Sequence, residues 1–298
     1  MMKIRIFCSF ADSKNCKDVY ERLCQTSQIK EYGENKEIYL TDGEDYTHAI
    51  IINIEMPELN IPKERVIGLA FEPPEFLRIK KTFIEYAQRH ISKYFIGQLN
   101  QLPSPPFIED YSYMWHVTPI YDSIPVKTKF MSIICSEKNS APGHRYRHKL
   151  AIELLRTNVQ VDIYGRGTIF YSHSQSIYKD DSRICGKFID YEPYTDYQYT
   201  IAIENYQTES YISEKLTNPL LCGTNVLYCG AANAKEKFGK PVFILSGDLQ
   251  NDIDFIKRIY ENREPPVDVD ISQIKENTNL IKNIKALYAN RCFSNLII

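Results

Sequence analysis

The chain has 298 residues, 43% of them apolar and 25% charged, with a formal net charge of −2. That length can bury a large core and points to two domains rather than one. The near-neutral balance excludes a protein held to nucleic acid or anionic membrane by its overall field, and no apolar run reaches bilayer-spanning length.

The first residues, Met1 to Phe10, are too short and too charged for a signal peptide. They are expected to contain a buried strand, Lys3–Cys8. Cys16–Gln28 has helical periodicity, and Ile38–Leu40, Ala49–Ile54 and Arg65–Phe71 have the apolar content of strands. Pro74–His90 is expected as a helix opening on proline, and Tyr94–Ile96 as a short strand. The stretch 101–125 holds five prolines and the only tryptophan, Trp115, and its part around Pro119–Pro125 is the expected linker. A second series follows: strand Phe130–Cys135, helix His144–Arg156, strand Val159–Tyr164 closed by Gly165-Arg166-Gly167, and a strand ending at Asn205. Helix Glu214–Cys222, strand Asn225–Cys229, short helix Ala232–Phe238, strand Val242–Leu245, helix Leu249–Asn262 and a helical tail from Ile271 to Asn290 complete it.

Alternation of this kind predicts an α/β protein of mostly parallel sheets covered by helices. The expected organisation is an N-terminal α/β domain over 1–125, ending in the Pro-rich linker, and a second over 126–298 with a C-terminal helical tail. Two facing Rossmann-like domains with a cleft between them suit glycosyl transfer from a nucleotide sugar, although fold alone does not prove function.

The eight cysteines form no CxxC pair, and several sit in apolar strand or helix contexts, so a reduced, cytoplasmic setting is expected. The even spacing of Cys8, Cys16 and Cys24 is read as coincidence, because a strand and a helix point them differently. No histidine has metal-ligand spacing beyond the weak His144/His148 pair. Asp268-Val-Asp270 reads as a helix cap rather than a metal site, and Asp180-Asp181 as solvated loop.

The richest segment runs from Tyr199 to Leu216. An alternating apolar run with Ile201 and Ile203 stops at Glu204-Asn205, a polar loop with Tyr211 follows, and Ser213-Glu214-Lys215 opens an apolar helix. Ligands of α/β proteins bind at that end of a strand. A Lys and a Glu entering a helix together suit a sugar phosphate, the one on phosphate charge and the other on hydroxyls.

This segment resembles the signature of the α-1,3/α-1,4-fucosyltransferases: Phe-x-x-x-Phe-Glu-Asn, a loop with a Tyr, then Thr-Glu-Lys and an apolar helix. Here Ile203 replaces the second Phe and Ser213 the Thr, and the loop keeps its length. Gly223 to Gly230 is similar to the family's Gly-x-x-Pro-Val-x-x-Gly segment, with Asn225 in place of Pro. Lys240-Pro241-Val242-Phe243-Ile244, with Asp254-Phe255, resembles a further downstream segment. Upstream, Arg147 to Leu154 and Val161 to Gly167 resemble its Arg-x-x-Phe-x-x-x-Leu and Val-Asp-Val-Tyr-Gly segments. The resemblance covers residues 128–262. In the N-terminal half only Glu72-Pro73-Pro74-Glu75-Phe76 is similar, to the family's Glu-Ser-Pro-x-Phe.

The resemblance implies a GT-B-like fold and inverting transfer of fucose from GDP-fucose to a glycan hydroxyl, with no essential metal; a divalent ion is possible but not required. It implies that Glu72 is the general base. Arg147 and Lys215 would neutralise the diphosphate, Glu214 would hold ribose or sugar hydroxyls, and Asn205 and Tyr211 would orient the nucleotide sugar. Glu204 is expected to shape the loop rather than touch substrate. Two alternatives stay open: the same fold with a different nucleotide sugar, and a module that binds a nucleotide sugar or glycan without transfer. Acceptor identity and oligomeric state are not written in these motifs.

Overall fold

The computed structural model describes residues 1–24, 37–115 and 123–289, which fall into two compact units. The first holds Met1–Trp115 and Glu276–Ile298, the second His116–Lys275.

In the first unit, strands β1 (Met2–Cys8), β2 (Ile38–Thr41), β3 (His48–Ile52), β4 (Val66–Leu69), β5 (Lys93–Ile96) and β6 (Phe107–Glu109) form one sheet in the order β2-β1-β3-β4-β5-β6. Every neighbouring pair is parallel. A parallel sheet covered on both faces needs strands that are apolar throughout, and Ala49, Ile50, Ile51 and Ile52 of β3 are all fully buried. Helix α1 (Ser13–Cys24) starts three residues before the expected Cys16, because Asp12 Oδ1 accepts from the Asn15 N–H at 2.7 Å and caps it. The expected end at Gln28 lies outside the described residues. The helix expected over Pro74–His90 is two, α2 (Pro74–Leu77) and α3 (Lys81–His90), because Arg78 takes left-handed backbone (φ 49°) and returns its N–H to Pro74 O. Strand β6 is hidden in the Pro-rich stretch, where period-2 patterning is too short to register.

In the second unit, β7 (Lys129–Ile134), α4 (Pro142–Leu155), β8 (Val161–Tyr164), α5 (Ile169–Ser172), β9 (Ile184–Gly186), α6 (Glu192–Thr195), β10 (Tyr197–Thr208), α7 (Glu214–Leu221), β11 (Asn225–Ala231), α8 (Ala234–Phe238), β12 (Val242–Ile244) and α9 (Leu249–Glu261) follow in turn. The sheet order is β12-β11-β10-β7-β8-β9, again all parallel. The chain builds outward from β7 through β9, then returns to add β10, β11 and β12 on the other side. The strand order therefore reverses between β7 and β10, which is where a doubly wound sheet opens a crevice for a nucleotide.

Arg183 anchors this half. It donates to the carbonyls of Leu154, Leu155, Thr157 and Val159 at the end of α4, and pairs with Asp181 at 2.7 Å. Asp181 is therefore not the solvated loop residue expected from the sequence; it holds the arginine that closes α4.

The tail is two helices, α10 (Ile271–Thr278) and α11 (Leu280–Tyr288), separated by Asn279, whose side chain accepts from the Lys282 N–H. Asp270 Oδ1 accepts from the Gln273 N–H at 3.0 Å, the capping role expected of the Asp-x-Asp segment. Helix α11 belongs to the first unit rather than to the second domain, where the sequence placed it. Tyr288 Oη donates to Ala49 O at 2.8 Å, and Lys93 Nζ to Leu287 O at 3.0 Å.

Candidate active site

The chemistry-bearing residues of the second unit gather at the switch point between β7 and β10. Helix α4 enters there with Pro142 at its first position, where a missing N–H costs nothing. The next residue has to be glycine: a Cβ on Gly143 would stand 1.8 Å from Glu204 O, so the first turn of α4 rests directly on the β10 backbone. One turn on, Arg147 is 6% exposed and donates from Nη2 to Ile203 O at 2.5 Å. Among the described residues no carboxylate lies within ion-pairing distance of this guanidinium. A buried charge without a counter-charge is costly unless an anion completes it.

Strand β10 runs on to Thr208, past the predicted end at Asn205. Its register on β11 shifts between Ile203 and Thr208, so Glu204 and Asn205 sit on the irregular stretch. Glu204 is 1% exposed and accepts from Ser213 N (3.0 Å), Ser213 Oγ (2.7 Å) and Tyr228 Oη (3.1 Å), with Lys215 Nζ at 3.4 Å. It thus ties β10, β11 and the start of α7 together, the loop-shaping role expected of it. Gly230 makes room for this knot, since a Cβ there would meet Tyr228 Oη at 2.4 Å and Glu204 Cγ at 2.6 Å. Asn225, where the resembled family has proline, exchanges two hydrogen bonds with Val267 and fastens the segment beyond α9 to β11.

Ser213 caps α7, accepting from the Lys215 N–H. The Lys215 ammonium lies 3.2 Å from Glu214 Oε1 as well as 3.4 Å from Glu204. Burial works against its charge, but the two carboxylates outweigh it and hold its pKa above the ordinary lysine value. Burial likewise pushes Glu214 up, and the pairing with Lys215 more than reverses that, leaving the carboxylate below its usual range. Lys215 therefore brings only part of its charge to a ligand, while Arg147 brings all of its own. The Tyr211 ring is 2% exposed, so in this structure it is part of the packing beneath the loop. The Asn205 Oδ1 atom is buried, and the His144 ring is the polar group that faces it.

Sequence reasoning weighed His144 only as half of a weak metal-spacing pair with His148. It is 3% exposed, its Nδ1 accepts from the Ala141 N–H at 3.2 Å, and it faces Asn205. Burial, followed by the charges of Arg147, Lys138 and Lys215, pushes it down to about 4. A histidine suppressed by three cations reports a positively charged crevice, and it adds Lys138 to the two cations singled out before. The available sequence signal was Pro142-Gly143 ahead of the helix. Among the described residues no group of three or more His, Cys, Asp or Glu side chains is placed to hold a metal ion.

Glu72 lies in the first unit, just past the C-terminal end of β4. Its segment is pinned by Asn53, whose Oδ1 accepts from the Phe71 N–H at 2.8 Å. The other five residues singled out, Arg147, Asn205, Tyr211, Glu214 and Lys215, are all in the second unit.

Residues 124–259, which contain the β7/β10 switch point, match the model for glycosyltransferase family 10 (fucosyltransferase), C-terminal part. The segment is similar to that family. Over 178 residues the chain is 26% identical to the protein named "Putative fucosyltransferase" in Acanthamoeba polyphaga mimivirus, over 58% of this chain and 26% of that protein. The chain thus spans about a quarter of the length of this relative. Among solved structures, Anabaena HepE in complex with UDP and glucose matches with a TM-score of 0.52 and 13% identity, covering 97% of each chain. A glycosyltransferase from Rickettsia africae ESF-5 matches with a TM-score of 0.51 and 9% identity, covering 96% and 95% of the two chains. An α1,3-fucosyltransferase with GDP covers 98% of this chain and 93% of its own, at 10% identity and a TM-score of 0.49. Likeness at these identities is likeness of fold: two parallel six-stranded sheets with covering helices, the GT-B glycosyltransferase architecture. The matched segment coincides with the part of the sequence that carried the motifs, and it holds Arg147 and Lys215 at the β7/β10 switch point.

Proposed function

We propose that the protein is an inverting glycosyltransferase that moves fucose from GDP-fucose to a hydroxyl of a glycan or glycosylated acceptor. The observation that carries this reading is the buried Arg147 guanidinium without a carboxylate partner, beside Lys215 and Lys138 at the switch point of a family-10 segment. A diphosphate supplies the missing negative charge, and the bond to be broken leaves that charge on it. Fixed cations in a site shielded from water stabilise such a leaving group without having to reorganise. Asn205 and Glu214 suit the hydroxyl groups of ribose or sugar.

In the transfer step, the acceptor oxygen bonds to the anomeric carbon and the bond from that carbon to the phosphate oxygen breaks. The electron pair leaves with GDP, and the acceptor proton goes to the Glu72 carboxylate. Attack opposite the leaving group inverts the anomeric centre. Arg147 and Lys215 take the charge-neutralising role a divalent ion has elsewhere, so the reaction is assigned no essential metal. The described cysteines are all free, which fits a reducing, cytoplasmic setting. No helix among the described residues is long and apolar enough to cross a membrane.

The same fold binds UDP and glucose in the Anabaena protein, so the nucleotide must be tested directly. GDP is expected to raise the melting temperature clearly more than UDP or CMP, and Lys215→Ala to shrink that shift. Equal shifts for the three nucleotides, or none, would refute the guanine-nucleotide donor.

A further inference from the structure

The first unit has a switch point of its own. Its β2-β1-β3 order reverses at β1, and there, where β1 gives way to α1, lies a cavity of about 380 Å³ lined by Arg5, Phe7, Cys8, Asp12, Lys14 and Glu55 among others. An antiparallel bridge between Cys8 and Ala11 folds the chain back on itself at this point. The fold-back brings the backbone of Phe10 and Ala11 close to the Cys8 sulfur. Cys16, fully buried in the first turn of α1, places its thiol within hydrogen-bonding reach of the same sulfur and 4.0 Å from Ala11 O. The end of β1 and the first turn of α1 thus meet here, with Cys8 in the cavity wall and Cys16 fully buried behind it.

We propose that Cys8 and Cys16 are an oxidant-sensitive dithiol site, Cys8 the attacking thiolate and Cys16 the resolving thiol. The strand-versus-helix argument that made their spacing a coincidence fails here, because the end of β1 and the start of α1 meet. It holds for Cys24, whose thiol faces the backbone of Leu280 and Ile281 instead. The Cys16 hydrogen bond is the largest influence on Cys8. With the two backbone donors it outweighs burial and the Glu55 carboxylate and brings the thiol down to about 7. Every other described cysteine (Cys24, Cys135, Cys185, Cys222 and Cys229) is pushed up, burial first. Thiolate character and access together select which cysteine oxidises.

The oxidant class is a peroxide. The Cys8 thiolate attacks one peroxide oxygen, the O–O bond breaks, and the departing hydroxide takes a proton as water, leaving a Cys8 sulfenic acid. The Cys16 thiol then loses its proton, its sulfur attacks Cys8 Sγ, and the S–O bond breaks to release a second water. Two thiols have given two electrons, and one disulfide remains. That bond ties the end of β1 to α1 and pins the loop carrying Ala11 and Asp12 in the cavity wall.

The test uses the full chain and does not depend on glycosyl transfer. After brief treatment with hydrogen peroxide and blocking with N-ethylmaleimide, peptide mass mapping is expected to show a Cys8–Cys16 cross-link that dithiothreitol reverses. In Cys16→Ser, dimedone is expected to label Cys8. At neutral pH iodoacetamide is expected to label Cys8 about 5-fold faster than the exposed Cys185, because the larger thiolate fraction exceeds the loss of intrinsic nucleophilicity. The half-point of Cys8 labelling should fall near pH 7. Oxidation of Cys185 ahead of Cys8, a Cys8 oxidised without linkage to Cys16, or Cys16 oxidation unchanged by Cys8→Ser would each overturn the proposal.

Discussion

Glu204→Ala tests whether the knot at the end of β10 is structural. The substitution removes the acceptor for Ser213 N–H (3.0 Å), Ser213 Oγ (2.7 Å) and Tyr228 Oη (3.1 Å), and the anion 3.4 Å from Lys215. Both hydroxyls can rotate toward other acceptors; the Ser213 amide and the ammonium cannot escape as easily. Removing one partner of a buried ion pair costs about 3–5 kcal/mol. With each kcal/mol worth about 2–4 °C in a unit of this size, the melting temperature of the second unit should fall by about 6–20 °C. Glu204→Gln keeps the shape and one acceptor oxygen but leaves Lys215 without this anion, and should cost about 1–2 kcal/mol. Differential scanning calorimetry of the three proteins, with and without GDP, provides the reading. An alanine variant that melts within about 2 °C of the parent yet no longer responds to GDP would refute the structural role and make Glu204 a ligand contact. Equal damage from Ala and Gln would show that shape, rather than hydrogen bonding, fails in both.

Glu72→Gln is expected to leave the GDP-induced shift intact while lowering transfer by at least ~100-fold, as loss of a general base does; surviving activity would place the base elsewhere. His144 gives a pH signature. Its folded pKa of about 4 lies below the ordinary histidine value, so the unfolded chain binds more protons between about pH 4 and 6.5 and stability rises with pH across that window. On acidification from pH 7 to 4.5 the His144→Gln protein should lose about 1–2 kcal/mol less stability than the parent in urea titrations. Identical losses would show that neither burial nor the cations of Arg147, Lys138 and Lys215 depress this ring.

Local pattern determined the fold class and the address of the site. The alternation of apolar runs and amphipathic helices made the α/β class legible, because burial on both faces of a parallel sheet demands strands such as Ala49–Ile52. The motif from Ile203 to Lys215 located the site, since a strand end, a capped helix start and their polar residues are contiguous in sequence. Glu204 was already legible as a loop-shaping residue. Tertiary structure alone decided the strand orders, and with them the two switch points, because non-local pairing leaves no periodic trace. It alone brought Arg147 beside Lys215 and placed α4 on the backbone of Glu204, contacts between segments some sixty residues apart in the chain. It moved α11 from the second unit to the first, since a short amphipathic helix fits whichever apolar surface receives it. And it joined Cys8 to Cys16, because the meeting of a strand end with a helix start depends on the turn between them, which neither periodicity describes.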